Sequence, residues 1–472
     1  MQERVIKEIA AITGPQHVLT ASEDRWTYAF DATDLDHMPD AVVFPGSAAE
    51  VAAIVRLANE HRFPVVPRGA GTGRSGGAVP IQGGVVLVLT RLNRILEIDT
   101  HDLVAVVEPG VILGKLKAAV EAKGLYYPPD PASAEFCTIG GNVAECAGGA
   151  VAVQYGVTRD YVLGLEVVLP TGEIIEAGTR TMKGVVGYDL TRLFLGSEGT
   201  LGVITRITLR LTAKPAARQT LAAAFKTLKA AGEAVSLILA SGLAPTALEF
   251  MDQVTLGCVR ELLPFKVPPQ AGALLLMALD GHPRDVEERA AAMARFCEEQ
   301  GADPVLRAQT PAEAEELWKA RKVVSPALKK LKPQKVSEDV VVPLGAIPEL
   351  IAKLGEISRR RGLIIPCYGH AGDGNIHVNI LYDRNLAGEK EAVGPTVEDI
   401  FVLVRRLQGT LSGEHGIGLT KAPYLGLELS PGALALQRRL KAAFDPNNIM
   451  NPGKVFPATS SEKGKRKNGV RH

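Results

Sequence analysis

Residues 67–77 read PRGAGTGRSGG, and the chain continues AVPIQGGVVLVLT with no helix-forming run behind the glycines. That continuation constrains the fold more than the glycines do. A dinucleotide fingerprint, GxGxxG, places a pyrophosphate on the N-terminus of the helix that follows it. Pro80, Gly83 and Gly84 stand where that helix would begin, so the segment reads as a loop entering a strand, and a nicotinamide Rossmann domain is disfavoured. The overlapping Gly73-Arg74-Ser75-Gly76-Gly77 has the GxSxG spacing of a hydrolase nucleophile elbow. It fails for the same reason, because that elbow also turns from strand into helix. No GxxxxGK[ST] occurs, which disfavours a P-loop nucleotidase. What such a loop can offer is consecutive backbone N–H groups, with the Thr72 and Ser75 hydroxyls, to the oxygens of a diphosphate. A glycine-rich surface hairpin is the plain structural alternative.

Glycine (48 residues) and proline (30) concentrate in residues 64–203 and 362–418, as they do where backbone turns sharply or approaches a ligand. A second cluster starts at Pro128, PPDPASAEFCTIGGNVAECAGGAVAVQYG, and a third, GSEGTLG, spans 196–202 ahead of a strand-like run. Three such segments in one region point to an extended ligand laid against the backbone. Around them, residues 1–36 read as two short helices. Residues 48–60 read as an amphipathic helix with Val51, Ile54, Val55 and Ala58 on one face. Strand signals fall at 63–67, 84–90, 103–108, 162–169 and 201–211, with few helices between them, so the expected class is α+β rather than doubly wound. Near Lys214-Pro215 the pattern changes to helical stretches at 287–300 and 311–331 and an apolar strand at 273–278. The expected divisions are therefore 1–36, 37–214, 215–457 and a basic tail, 458–472, read as solvated and disordered.

The 53 basic and 52 acidic side chains leave a net charge of +1, which provides no basic face for nucleic acid. Five cysteines without a CxxC pair write neither a disulfide framework nor a zinc ribbon. No apolar run is long enough for a transmembrane segment. A cytoplasmic protein is expected, free or peripheral at the membrane.

Three of the nine histidines, His370, His377 and His415, fall in glycine-rich turns of the last quarter. The first two frame GHAGDGNIH between the strand-like LIIPCY and HVNIL, so a tight turn brings both imidazoles to one side. Glu414 precedes His415 in SGEHGIG. Two imidazoles and a carboxylate suit Zn²⁺ or Mn²⁺ and leave a position for substrate oxygens. The alternative is that these side chains cap turns at a domain interface.

Taken together, PRGAGTGRSGGA, PPDPAS, CTIGGNVAECAGG, GYDLTRLFLGSEGTLGVIT, GHAGDGNIH, GEHGIG and FDPNNIMNPGK resemble the FAD-linked oxidases of the vanillyl-alcohol oxidase type. The nearest branch is that of D-lactate dehydrogenase, D-2-hydroxyglutarate dehydrogenase and glycolate oxidase catalytic subunits. The match spans residues 40–457 in the family's order. The resemblance implies a two-subdomain FAD-binding domain, an α+β cap (substrate) domain and a C-terminal helical segment returning to the flavin. It implies that Arg68, Gly69, Ala70, Gly71, Thr72, Gly73, Ser75, Gly76 and Gly77 wrap the pyrophosphate. By the same resemblance Pro131, Ser133, Thr138, Gly141, Asn142 and Gly148 line the flavin, Gly199, Val203 and Ile204 contact the adenine and ribose side, and Asn451 completes the cofactor site. FAD is expected to be non-covalent, because residues 64–80 contain no His or Cys, although Cys137 and Cys146 lie nearby.

The activity implied is oxidation of a D-2-hydroxy acid (D-lactate, glycolate or D-2-hydroxyglutarate) to the 2-oxo acid. His370, His377 and Glu414 would bind the divalent metal, and His415 would act as general base while hydride leaves for flavin N5. Arg321, in ELWKAR, would hold the substrate carboxylate, since bidentate geometry favours arginine. Ser325 and the second cation Lys335 would stand beside it, and Asn375 would hold substrate or flavin oxygens. No iron–sulfur cysteine pattern is present, so electrons are expected to pass to a separate iron–sulfur subunit, cytochrome, electron-transfer flavoprotein or quinone. A homodimer is compatible with this reading. Two other readings stand beside it: a non-redox flavin-dependent transferase of the same superfamily, and an accessory flavin subunit of an electron-transfer complex.

Overall fold

The computed structural model describes residues 1–457, so the basic tail read at 458–472 lies outside the described residues. Three larger sheets and one two-stranded ribbon carry the chain. In the first sheet Val18–Leu19, Ala41–Val43, Val85–Val88 and Val65–Arg68 lie in that order, the last three mutually parallel. Parallel strands need a crossover, and the helix Ala48–His61 supplies one. Ser47 Oγ caps it by accepting the Glu50 N–H, and Arg62 ends it in the left-handed region at φ 59°. Its buried face carries the Val51, Ile54, Val55 and Ala58 stripe read from the sequence. Val85–Val88 is apolar throughout because Val85 and Leu87 face that helix while Val86 and Val88 face a second core.

The second sheet is antiparallel, ordered Ile95–Asp99, Val104–Val107, Val203–Arg210, Val162–Val168, Ile174–Gly178. The helices Leu113–Glu121 and Ile139–Glu145 close its core with Leu116, Val120, Ile139 and Val143.

Seven antiparallel strands form the third sheet, in the order Ala302–Arg307, Ala217–Phe225, Ala273–Gly281, Ala247–Asp252, Cys367–His370, Asn375–Tyr382, Gln334–Val341. Both faces of its centre are covered. Leu275, Met277 and Leu279 pack in one core, with the helices Leu228–Ala240, Pro283–Glu299, Ile347–Arg361 and Glu389–Arg406, while Leu274 and Leu276 pack in the other. The helical stretch read at 311–331 is divided into Pro311–Lys322, Val324–Ala327 and a 3-10 turn, Leu328–Lys330. Pro326 has no N–H to donate to the Lys322 carbonyl, so the first helix stops there.

The C-terminal helix Pro431–Phe444 leads back to the first sheet. Asp445 accepts the Ile449 and Met450 N–H groups. The Val65 N–H then donates to the Ile449 carbonyl, and the Asn451 N–H to the Val65 carbonyl. This α+β architecture, with its returning C-terminal segment, is the one expected from the motifs.

Candidate functional site

One cavity of about 1260 Å3 is lined by residues of all three sheets and of the loops between them. Arg68, Gly69, Ala70, Gly71, Thr72, Gly73 and Gly77 form one wall. Pro131, Ser133, Thr138, Gly141 and Asn142 form the next, and Gly199 and Ile204 a third stretch. Arg321, Ser325, His370, His377, Glu414 and His415 close the far end. The glycine loop runs directly from Val65–Arg68 without a helix and ends in Val85–Val88, as its composition required. A Cβ on Gly69 would lie 2.2 Å from Thr138 Oγ1, so the bare backbone of the first glycine cluster abuts the Thr138 side chain at the start of the second. Small, glycine-rich segments lining a cavity of this volume fit an extended diphosphate ligand such as FAD.

The other residues singled out from the sequence lie behind that wall. The Ser75 carbonyl accepts the Leu419 and Thr420 N–H groups, and Gly76 abuts the Leu419 side chain. Val203 belongs to the core beneath the first sheet. Asn451 donates to the carbonyls of Gly77 and Glu198. Gly148 backs onto Glu414, where a Cβ would stand 2.8 Å from Oε2. Asn375 donates to the Val340 carbonyl, and Lys335 to the carbonyl and hydroxyl of Ser325.

The histidine cluster is assembled by strand register. His370 closes one strand and pairs with Asn375, so His377 pairs with Tyr368 and both imidazoles emerge on one face. Their ring centroids are 5.2 Å apart, and His415 stacks on His377 at 5.3 Å and 11°. Glu414 Oε1 lies 3.4 Å from His370 Nε2 and 3.6 Å from His377 Nε2. One donor atom from each of His370, His377 and Glu414 falls within 4.8 Å of the others, which fits a single ion of the Zn²⁺ or Mn²⁺ type.

Two buried carboxylates that sequence reasoning missed organise this end. Glu249, fully buried in Ala247–Asp252, accepts His370 Nδ1 at 2.5 Å through Oε1 and the Arg321 guanidinium at 2.5 and 2.6 Å through Oε2. This leaves His370 Nε2 as the nitrogen that could ligate an ion, with a carboxylate orienting the ring from behind. Arg321 also lies 4.7 Å over the Tyr368 ring. Burial opposes a charge on His370, but Glu249 and then Glu414 outweigh it and hold its pKa well above the usual histidine range. His377 is pushed well below that range by burial and by the charges of His370 and His415.

Asp339 sits opposite His377 in the neighbouring strand. Its Oδ2 accepts the N–H groups of Gly413, Glu414 and His415 at 2.8, 2.6 and 3.1 Å, which fixes the turn that presents Glu414 and His415. Lys421 pairs with its Oδ1. Burial opposes ionisation of Asp339, yet His415, Lys421 and these hydrogen bonds hold it far below the usual carboxylate range. His415 Nδ1 stands 3.5 Å from Asp339 Oδ1, an electrostatic contact without hydrogen-bond alignment. The sequence signal for both carboxylates was an acid set within an otherwise apolar strand, in ALEFMD and VSEDVVV.

A further pair of carboxylates, Glu145 and Glu198, lines the cavity. Glu198 accepts the Ile417 and Gly418 N–H groups at 2.7 and 2.8 Å. Burial pushes both carboxyls up, Glu145 furthest. Gly416, at φ 82°, would carry a Cβ only 2.2 Å from Glu145 Oε2, so glycine is required where this turn meets the pair.

Residues 39–178 match the family model described as FAD binding domain, and residues 214–455 match FAD linked oxidases, C-terminal domain. The chain belongs to the FAD-linked oxidase family. It is 43% identical over 453 residues to the glycolate oxidase subunit GlcD of Bacillus subtilis (strain 168), covering 96% of each chain. It is 38% identical over 459 residues to the D-lactate dehydrogenase of Anaerostipes hadrus, covering 95% of this chain and 96% of that one. Among solved structures, p-cresol methylhydroxylase with substrate bound aligns with a TM-score of 0.80 at 19% identity, covering 96% of both chains, and this likeness shows the fold. The resemblance drawn from the sequence motifs is therefore the family to which the chain belongs. No helix among the described residues is long and apolar enough to cross a membrane.

Proposed function

We propose that this FAD-linked oxidase dehydrogenates a D-2-hydroxy acid to the 2-oxo acid, with residues 37–214 as the FAD-binding domain and 215–457 as the substrate-binding cap. The observation that carries the reading is the convergence of His370, His377, Glu414 and His415 on the cavity that the glycine loops also line. When bound, FAD supplies the two-electron acceptor and a Zn²⁺ or Mn²⁺ ion the Lewis acid. His370 Nε2, His377 and Glu414 would hold the ion, next to the place where the substrate hydroxyl meets His415. Asp339 beside Nδ1 of His415 favours a proton on that nitrogen, which leaves Nε2 as the base for the substrate hydroxyl. Burial lowers the His415 pKa, keeping the ring neutral and able to accept that proton near neutral pH. Arg321, steered by Glu249, turns its remaining N–H groups to the substrate carboxylate. The glycine-rich part of the cavity takes FAD without a covalent bond. Cys137, on its wall, is buried with its thiol pushed up, which disfavours the reactive thiolate. GlcD is named as a subunit, in keeping with electrons leaving to a separate acceptor protein or quinone.

The deciding experiment is an anaerobic spectrum of the purified protein during addition of D-lactate, glycolate and D-2-hydroxyglutarate. Bleaching of the flavin band near about 450 nm by at least one of them is expected. An oxidised spectrum untouched by all of them would favour the transferase or accessory reading. Acid precipitation is expected to leave the yellow colour in the supernatant, and a yellow pellet would refute the non-covalent assignment. Exhaustive dialysis against EDTA is expected to abolish turnover, with Zn²⁺ or Mn²⁺ restoring it. Undiminished turnover at a measured metal content near zero would remove His370, His377 and Glu414 from the ligand role.

A further inference from the structure

Arg74 is a cation on the cavity wall to which the proposed chemistry assigns no work. It sits in the glycine loop, and its Nη2 reaches to 3.5 Å from the Ser325 hydroxyl, 251 residues away on the opposite wall. The same hydroxyl is met from behind by Lys335 Nζ at 2.5 Å. Two cations thus converge on one neutral group. Three other cations of the wall are already engaged: Arg321 by Glu249 and Lys117 by Asp130, while Arg68 donates to the Phe30 carbonyl. Neither Arg74 nor Lys335 has a carboxylate partner among the described residues, in contrast to the ion pairs found elsewhere on this wall. The crowding has a physical signature: burial first, then the charges of Arg74 and Lys329, push the Lys335 pKa down to about 7. Like charges gathered at a concave surface without a counter-charge are a subsite for an anion brought by a ligand, and a guanidinium fork matches a carboxylate. Arg74 and Ser325 line the same cavity as His370, His377, Glu414 and His415, so a ligand held at the histidine cluster can present a second group there.

We propose that Arg74 is a specificity-determining residue which, with Ser325 and Lys335, receives a second carboxylate of the substrate, so that the enzyme prefers 2-hydroxy dicarboxylic acids to glycolate and D-lactate. The proposal rests on the 2-hydroxy acid reading above. It also makes the anion a bridge between the glycine loop and the cap, since Arg74 and Ser325 come from opposite walls.

The test compares FAD-loaded wild type, Arg74→Gln and Arg74→Lys with D-2-hydroxyglutarate, D-malate and D-lactate. Wild type is expected to favour the dicarboxylates. In Arg74→Gln the ratio of kcat/KM for D-2-hydroxyglutarate over D-lactate is expected to fall about 10- to 100-fold, the worth of one charged hydrogen-bonding contact. Arg74→Lys should recover part of that loss, and FAD affinity should match wild type. Equal losses on mono- and dicarboxylates, a wild type that prefers D-lactate, or a loss confined to FAD affinity would each overturn the proposal, the last by assigning Arg74 to the diphosphate. If no 2-hydroxy acid bleaches the flavin, the parent reading fails and calorimetric binding of glutarate against butyrate decides the subsite. Glutarate binding that weakens in Arg74→Gln would uphold it, and no preference for glutarate would overturn it.

Discussion

His415→Asn is expected to lower kcat by about 10²- to 10⁴-fold, the range that general-base catalysis contributes, with FAD content unchanged. The expectation follows from how firmly this imidazole is placed. Its backbone N–H is bound to Asp339 Oδ2 at 3.1 Å, its ring stacks on His377, and its Nδ1 faces Asp339. Asparagine keeps the size and polarity of the site but has no basic nitrogen to take a proton. Because the three hydrogen bonds to Asp339 come from main-chain N–H groups, the substitution leaves the turn standing, and Glu414 stays where it is. Rapid-mixing measurement of anaerobic flavin reduction reads the affected step directly. A reduction rate within a few-fold of wild type would place the base elsewhere, while loss of bound flavin would show a structural role instead.

Glu249→Ala should destabilise the protein by about 3–5 kcal/mol, the cost of breaking a buried ion pair from one side. The carboxylate is fully buried and serves two partners, Arg321 and His370. Removing it strands a largely buried guanidinium between Tyr368 and the cavity and releases the Nδ1 proton of His370. Urea denaturation of the FAD-loaded protein measures the stability term. Zinc affinity, measured by competition with a chelator, should fall about 10- to 100-fold, as it does when the group behind a metal-binding histidine is lost. Glu249→Gln, which keeps one acceptor oxygen and the packing, should lose less stability than Glu249→Ala. A loss below about 1 kcal/mol, the worth of an exposed pair, would mean that water reaches Arg321 and takes over from the carboxylate.

Much of the architecture was legible in short stretches of sequence. Pro80 and Gly83-Gly84 excluded a helix behind the glycine loop, and the structure has none there. The Val51, Ile54, Val55 and Ala58 stripe identified a helix by its period, and the GHAGDGNIH turn placed two imidazoles together because a hairpin permits little else. The division of 311–331 was written at Pro326, though composition favoured one continuous helix. In each case the determinant is local: a missing N–H, a period of 3.6, a turn of a few residues.

The partners of the charged groups were not legible in the same way. Arg321 suggested itself as a free cation, yet it is matched by Glu249 across 72 residues, and His370 meets the same carboxylate across 121. Only folding brought Arg74 opposite Ser325, 251 residues away. The sequence by itself determined the family, the backbone of the glycine loops and the residue types of the candidate metal site, because local sterics and spacing carry that information. Only the tertiary structure decided which charges are already paired and which stand ready for a ligand, because pairing depends on strand register and burial between segments far apart in the chain.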